Sequence, residues 1–198
     1  MGRLYFITGG AGSGKSEYAE QLAERLHAEL AGPLYYVATM NPTPRDSDAA
    51  ARIAKHQKRR ENKGYTTIEC PTDIAQLHAL LKQEPPVATE CPTDIAQLGR
   101  LPAHPRAVFL LEDLTNLYAN EVYGTSGHPH AIVAPLLQLV AQAGAVIVVA
   151  NELYSDGIDY GEETNRFLRN IAGIAAQLSA AADQVTEVVY GIPVQLKV

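Results

Sequence analysis

One stretch near the start, Leu4-Tyr5-Phe6-Ile7-Thr8-Gly9-Gly10-Ala11-Gly12-Ser13-Gly14-Lys15-Ser16, limits what this chain can fold into more than any other. An apolar β-type run feeds directly into G-x-x-x-x-G-K-S, and a helical pattern follows at once. Strand, loop and helix therefore stand in the order that a P-loop requires. Phosphate binding needs backbone N–H groups converging on an anion in a tightly curled turn. The glycines at 9, 10, 12 and 14 supply that freedom, with Ala11 and Ser13 between them. The motif assigns Lys15 to the β- and γ-phosphates and the Ser16 hydroxyl to Mg²⁺, and the positive end of the helix opening at Gly14 adds to the attraction.

The rest of the chain alternates strand and helix signals. Tyr18, Leu22, Leu26 and Leu30 recur every four residues before Gly32-Pro33 ends the segment, which predicts an amphipathic helix. Leu34–Thr39 reads as a short strand that ends at the polar, proline-containing run 41–48, and Ser47 to Arg60 reads as a basic helix. Tyr65–Glu69 reads as a third strand. Ala107–Leu111 is a continuous apolar run closed by Glu112-Asp113, the pattern of a buried parallel strand with acids at its carboxyl end. In a P-loop protein that is the place of a Mg²⁺-binding acid, although an acid after a strand also serves as a helix cap. Helices are expected near Leu114–Val122 and Ile132–Gln142. The loop between them holds His128-Pro129-His130, which has no partner cluster and reads as a solvated loop rather than a metal site.

Ala145–Ala150 is the clearest buried strand. It ends in Asn151-Glu152, so the loop that follows is expected to face the same site as Gly9 and Glu112, because ligands of parallel sheets bind at the carboxyl ends of strands. Phe167, Ile171, Ile174 and Leu178 have helical spacing, and Gln184–Tyr190 with Ile192–Lys197 suggests two strands joined by a tight turn at Gly191. The whole is expected to be one α/β domain over residues 1–198, with a mainly parallel sheet flanked by helices and an antiparallel edge near the C-terminus.

A repeat interrupts this alternation. Glu69-Cys70-Pro71-Thr72-Asp73-Ile74-Ala75-Gln76-Leu77 recurs letter for letter as Glu90 to Leu98. Two copies do not make a solenoid, and the second reads as a short tandem duplication forming a surface helix or loop, since such insertions cost little loop entropy. The net charge of −6 argues against general binding to nucleic acid. Cys70 and Cys91, the only cysteines, form no metal-ligand pattern and fit a reducing compartment. With no apolar run of membrane-spanning length and no signal-peptide pattern, a cytoplasmic protein is expected.

With these pieces placed, the chain resembles the bifunctional adenosylcobinamide kinase/adenosylcobinamide-phosphate guanylyltransferase family of cobalamin biosynthesis. The resemblance is carried by Ile7-Thr8-Gly9-Gly10 with Ser13-Gly14-Lys15-Ser16, by Tyr36-Val37-Ala38-Thr39, and by Ala51-Arg52-Ile53 followed by His56. It continues through Thr67-Ile68-Glu69, Leu111-Glu112 with Leu114-Thr115, Val149-Ala150-Asn151-Glu152, Ala181–Val185 and Gly191-Ile192-Pro193. It implies a P-loop NTPase fold of the RecA type, a homotrimer, and two reactions: phosphorylation of the aminopropanol hydroxyl of adenosylcobinamide by ATP or GTP, and transfer of GMP from GTP to that phosphate through a guanylylated histidine. On the matching positions it makes His56 the nucleophile and joins Lys15 to it as catalytic. It assigns the P-loop, Ser16 and Glu112 to phosphates and Mg²⁺, and brings Ala38, Thr39, Met40, Arg52, Gln57, Lys58, Arg59, Arg60 and Glu69 to nucleotide binding. The chain departs from the family pattern at Gly12, usually basic, at Asp113, usually Cys, and at Leu153-Tyr154 and Ala175-Ala176-Gln177.

On a helix, Arg52, Arg59 and Arg60 share a face with His56 and compensate a triphosphate while disfavouring imidazolium. On residue chemistry alone the same segment reads as a solvated basic helix with an incidental histidine. Two other functions stay open at this point: a P-loop kinase or nucleotidyltransferase for another small acceptor, and a nucleotide-binding regulatory protein with little turnover.

Overall fold

The computed structural model describes residues 2–40, 58, 60–70, 104–124 and 132–198. Most of the basic segment around His56, including Arg52, Gln57 and Arg59, lies outside the described residues. So do both copies of the repeat beyond Cys70 and the His128-Pro129-His130 loop.

Among the described residues seven strands form one sheet. They are β1 (Arg3–Gly9), β2 (Leu34–Ala38), β3 (Tyr65–Glu69), β4 (His104–Glu112), β5 (Ala143–Asn151), β6 (Gln184–Val189) and β7 (Ile192–Lys197). Their spatial order is β3-β2-β4-β5-β1-β6-β7, parallel throughout except for the antiparallel pair β6–β7. This is the expected mainly parallel sheet with its antiparallel edge. Among the described residues the long helices are α1 (Lys15–Leu30), α2 (Leu114–Tyr123), α3 (Val133–Gln142) and α4 (Glu162–Ala181).

Period-two alternation along β1 sorts its side chains between two cores. Leu4 and Phe6 join Phe109, Leu111, Val146 and Val148 under α2, α3 and α4, where Leu117, Leu136, Ile171 and Leu178 are buried. Tyr5 and Ile7 join Leu110, Ile147 and Val149 on the opposite face under α1, which contributes Ala19, Leu22, Ala23 and Leu26. With both faces covered, β5 has no need of polar alternation, and its run from Ala145 to Val149 is completely buried. Tyr118 of α2 packs against Phe167 of α4 with ring centroids 4.9 Å apart, which joins the two helices over the sheet.

β1 lies inside the sheet between β5 and β6, so the loop that leaves it emerges over the centre of the carboxyl edge. Register then fixes what surrounds that loop. Ala38 pairs with Glu69 on one side and Glu112 on the other, and Gly9 pairs with Asn151. Residues scattered across the sequence are thereby brought to one edge by strand pairing alone.

Candidate active site

The loop between β1 and α1 takes the conformation its glycines permit. Gly12 and Gly14 have φ of 72° and 92°, a region that L side chains rarely adopt, and Gly14 is the N-cap of α1. A Cβ at Gly9 would stand 2.5 Å from the Val188 carbonyl oxygen, so close approach of the β6 backbone is what requires glycine there. Lys15, the first residue of α1, is buried and its ammonium donates to the Gly10 carbonyl oxygen at 3.1 Å. Desolvation lowers its pKa, and the negative charges of Asp113 and then Glu112 push the other way. The acid pair at the end of β4 thus acts electrostatically on the P-loop lysine.

Of the two roles that sequence left open for the acids, the helix cap falls to Asp113. Asp113 is the N-cap of α2, its carboxylate accepting from the Asn116 backbone N–H at 2.7 Å. Burial, reinforced by neighbouring Glu112, raises its pKa against the pull of the Asn116 bond and of Lys15. Glu112 instead accepts from the Tyr36 hydroxyl at 3.2 Å. Burial and Glu112 push the Tyr36 phenol far above its ordinary range, so it remains a donor at any working pH.

Ser16 and Glu112 offer a hydroxyl and a carboxylate, the hard oxygen donors that suit Mg²⁺. Among the described residues no cluster of three or more His, Cys, Asp or Glu has metal-holding geometry. That set fits a magnesium ion that arrives with nucleotide phosphates rather than one caged by protein alone.

Thr39 is fully buried, and its hydroxyl is committed. It donates to the Asp113 carbonyl oxygen at 2.8 Å and accepts from the Asp113 N–H at 2.7 Å, while Asn120 donates to the Thr39 carbonyl oxygen at 2.8 Å. The side chain therefore ties the end of β2 to the β4–α2 junction. Ala38 and Met40, on either side of it, are half-buried at the same edge.

Of the basic segment, Lys58 is exposed and Arg60 is buried. The Arg60 guanidinium carbon sits 3.3 Å from the centroid of the Tyr36 ring, a cation–π arrangement, and its Nε and Nη1 are buried without a hydrogen-bond partner among the described residues. Glu69, at the exposed end of β3, lies within electrostatic reach of Arg60. Sequence reasoning placed Arg60 on a shared face with His56. The structure packs its guanidinium on the Tyr36 ring of β2, while His56 lies outside the described residues.

The end of β5 joins the same cluster. Asn151 donates through its side chain to Asp113 at 3.2 Å and through its backbone to the Thr115 hydroxyl at 3.1 Å, and the Glu152 N–H donates to the Gly9 carbonyl oxygen at 3.1 Å. The expectation that Asn151-Glu152 faces Gly9 and the acids is met. Its signal was position at the carboxyl end of an apolar run. Sequence reasoning gave Tyr36 no role at the site, and it foresaw the hairpin turn at Gly191 but not its seat on the phosphate loop, where the Gly191 N–H donates to the Ser13 carbonyl oxygen at 2.7 Å.

The solved structure of the flagellar accessory protein FlaH of Methanocaldococcus jannaschii resembles the fold at 11% identity, with a TM-score of 0.51 over 98% of this chain and 78% of that one. At the sequence level, the bifunctional adenosylcobalamin biosynthesis protein CobU of Escherichia coli K12 is 31% identical over 98% of this chain and 99% of its own length. CobP of Pseudomonas aeruginosa, a protein of the same description, is 30% identical over 96% and 95%. The family model described as cobinamide kinase/cobinamide phosphate guanyltransferase matches residues 5–95 and 86–196, two stretches that overlap within the duplicated tract. With matches that run through both halves of the sequence, this chain belongs to the cobinamide kinase/cobinamide phosphate guanyltransferase family.

Proposed function

We propose that this chain is a bifunctional enzyme that phosphorylates adenosylcobinamide and then guanylylates the product, using ATP or GTP as phosphoryl donor and GTP as source of GMP. The observation that carries the reading is the P-loop lysine held under the influence of the Glu112-Asp113 pair in a chain alike, nearly end to end, to bifunctional relatives.

In the kinase step the acceptor hydroxyl oxygen attacks the γ-phosphorus, the bond to the β-phosphate oxygen breaks, nucleoside diphosphate leaves, and the hydroxyl proton is released to solvent. Backbone N–H groups of residues 9–16 hold the phosphates. Lys15 exchanges the Gly10 carbonyl for phosphate oxygens and neutralises charge on the transferring group. Glu112 and Ser16 are the residues that would hold Mg²⁺, which supplies further neutralisation and orients the phosphates.

In the second reaction a ring nitrogen of His56 attacks the α-phosphorus of GTP and pyrophosphate departs. A phosphate oxygen of the acceptor then displaces the imidazole, giving adenosyl-GDP-cobinamide. Arg52, Gln57, Lys58 and Arg59 accompany His56 in nucleotide binding, Ala38, Met40 and Glu69 line the strand ends, and Thr39 contributes by fixing them. The unsatisfied buried N–H groups of Arg60 suit a phosphate oxygen. The working form is a cytoplasmic homotrimer of single-domain subunits that handles nucleotides and corrinoids and no nucleic acid. Among the described residues, no helix is long and apolar enough to cross a membrane.

The test is covalent labelling. GTP labelled at the α-phosphate is expected to transfer label to the protein in an acid-labile, alkali-stable bond, as a phosphoramidate does, whereas γ-labelled GTP does not. His56→Asn abolishes labelling and GMP transfer while the fold persists. Lys15→Ala lowers kinase turnover on the order of a hundredfold or more. Absence of α-label on the wild-type protein, or GMP transfer by the variant, would remove His56 from the mechanism.

A further inference from the structure

The C-terminal hairpin closes directly onto the phosphate loop. Besides the Gly191 bond to the Ser13 carbonyl, a Cβ at Gly14 would stand 3.2 Å from the Gly191 Cα, so the two backbones touch where Cβ atoms are missing. The turn itself consists of Tyr190 and Gly191, between the paired residues Val189 and Ile192. Both turn residues have positive φ, 49° and 80°. A two-residue hairpin turn of this kind favours Asn, Asp or Gly at both central positions because they enter that region at little cost. A bulky tyrosine there is a backbone outlier, and it gains nothing from burial in return: Tyr190 is 93% exposed, and Ile192 beside it is 65% exposed.

The strand order gives the tyrosine a purpose. Along the sequence of strands β4-β5-β1-β6-β7, the acids that attract the cation-bearing end of a triphosphate lie on one side of β1, and the hairpin lies on the other. A nucleotide whose terminal phosphates point toward Glu112 and Lys15 must therefore send its sugar and base toward β6–β7. We propose that Tyr190 is the stacking platform for the base of the nucleotide whose phosphates occupy the Gly9–Ser16 loop, with Ile192 extending the apolar surface. This rests on the reading of that loop as a nucleoside triphosphate site. The strained turn places Tyr190 beside the loop, next to the Gly191 whose N–H bonds Ser13, and base recognition of this kind uses the π-face, which every nucleobase has.

The chain contains no tryptophan, so Tyr190→Trp installs a single emitter at the proposed contact. Its fluorescence is expected to be quenched by the β,γ-imido analogue of ATP and to be indifferent to inorganic tripolyphosphate, which has phosphates and no base. In calorimetry with the same two probes, Tyr190→Ala weakens binding of the ATP analogue by about five- to a hundredfold and leaves tripolyphosphate unchanged, while Tyr190→Phe binds both as the wild type does. Tyr190→Asn separates fold from function, since it relieves the turn and raises Tm yet loses analogue affinity as the alanine variant does. If Lys15→Ala abolishes analogue binding while Tyr190→Ala binds like wild type and the tryptophan emission does not change, the base lies elsewhere; the proposal fails and the P-loop reading stands. If Lys15→Ala binds the analogue as well as the wild type, the P-loop reading fails and takes this proposal with it.

Discussion

Replacing Thr39 with valine exchanges one hydroxyl for a methyl group of nearly the same shape, so it leaves no cavity and isolates a polar effect. That hydroxyl makes two short hydrogen bonds to the backbone of a single residue, Asp113, from a fully buried position. Two such bonds contribute on the order of 1 kcal/mol each, and the valine methyl also leaves the Asp113 N–H facing an apolar group, which brings the expected loss to about 2–4 kcal/mol. For a chain of this length each kcal/mol lowers Tm by roughly 2–4 °C, so a fall of about 5–15 °C is expected. Urea unfolding monitored by circular dichroism measures it, with the midpoint lowered and the slope unchanged. Because Asp113 caps α2 and follows Glu112 directly, loosening it also misplaces the acid relative to Lys15, and kinase turnover should fall by on the order of tenfold or more. Thr39→Ser keeps the hydroxyl and should retain most of both. A valine variant within about half a kcal/mol of wild type would refute the argument. It would mean that the hydroxyl does not hold the strand ends together and is free for the nucleotide contact that the family resemblance implies.

Asp113 also gives a pH prediction. Burial raises its folded pKa above 3.8, so the folded state holds a proton that the unfolded chain has released, and this residue's contribution to stability falls as pH rises from about that value toward the raised pKa. Asp113→Asn retains an equivalent cap and removes the charge. Because the variant also loses the oxygen that accepts from the Asn151 side chain, the readout is the pH dependence: in thermal unfolding without nucleotide its Tm relative to wild type should rise as pH rises and fall on acidification, and a constant difference would show that the charge carries no penalty. In the duplicated tract, deleting Cys70 to Glu90 joins Glu69 to Cys91 and restores one copy in frame. Soluble expression and both activities should survive, and insoluble protein would show that the second copy has become part of a core or an interface.

How much of this was readable before any coordinates depended on the range of the interactions. Apolar runs gave β1, β4 and β5 because a strand buried on both faces has to be apolar throughout, and helical spacing found α1 and α4 because each buries one stripe. The P-loop was legible because its chemistry demands contiguous residues. Arg60 was legible as a basic residue, but its packing partner was not: Tyr36 lies on a strand that only tertiary packing brings beneath it. Thr39 entered the site through the family resemblance, and a pattern of letters does not reveal that its hydroxyl bonds the backbone at the β4–α2 junction. The hairpin turn was expected from Gly191, but its seat on the phosphate loop joins residues at opposite ends of the sequence, and no local signal encodes such a contact.

The placement of β1 between β5 and β6 has a consequence for synthesis on the ribosome. Leu4, whose N–H donates to the Asp183 carboxylate at 2.7 Å, precedes that partner by 179 residues, and β6 follows Asp183 at once. At a translation rate of about 5–20 residues per second, the first strand waits on the order of ten seconds or more for the segment that completes its hydrogen bonding. Through that interval Leu4, Tyr5, Phe6 and Ile7 form an apolar ribbon with an unpaired edge, a natural client for a nascent-chain chaperone. The phosphate loop stays without its buttress for as long, since Val188 and Gly191 have yet to be made. Competence to bind nucleotide therefore arrives late and all at once, with the closing of the C-terminal hairpin.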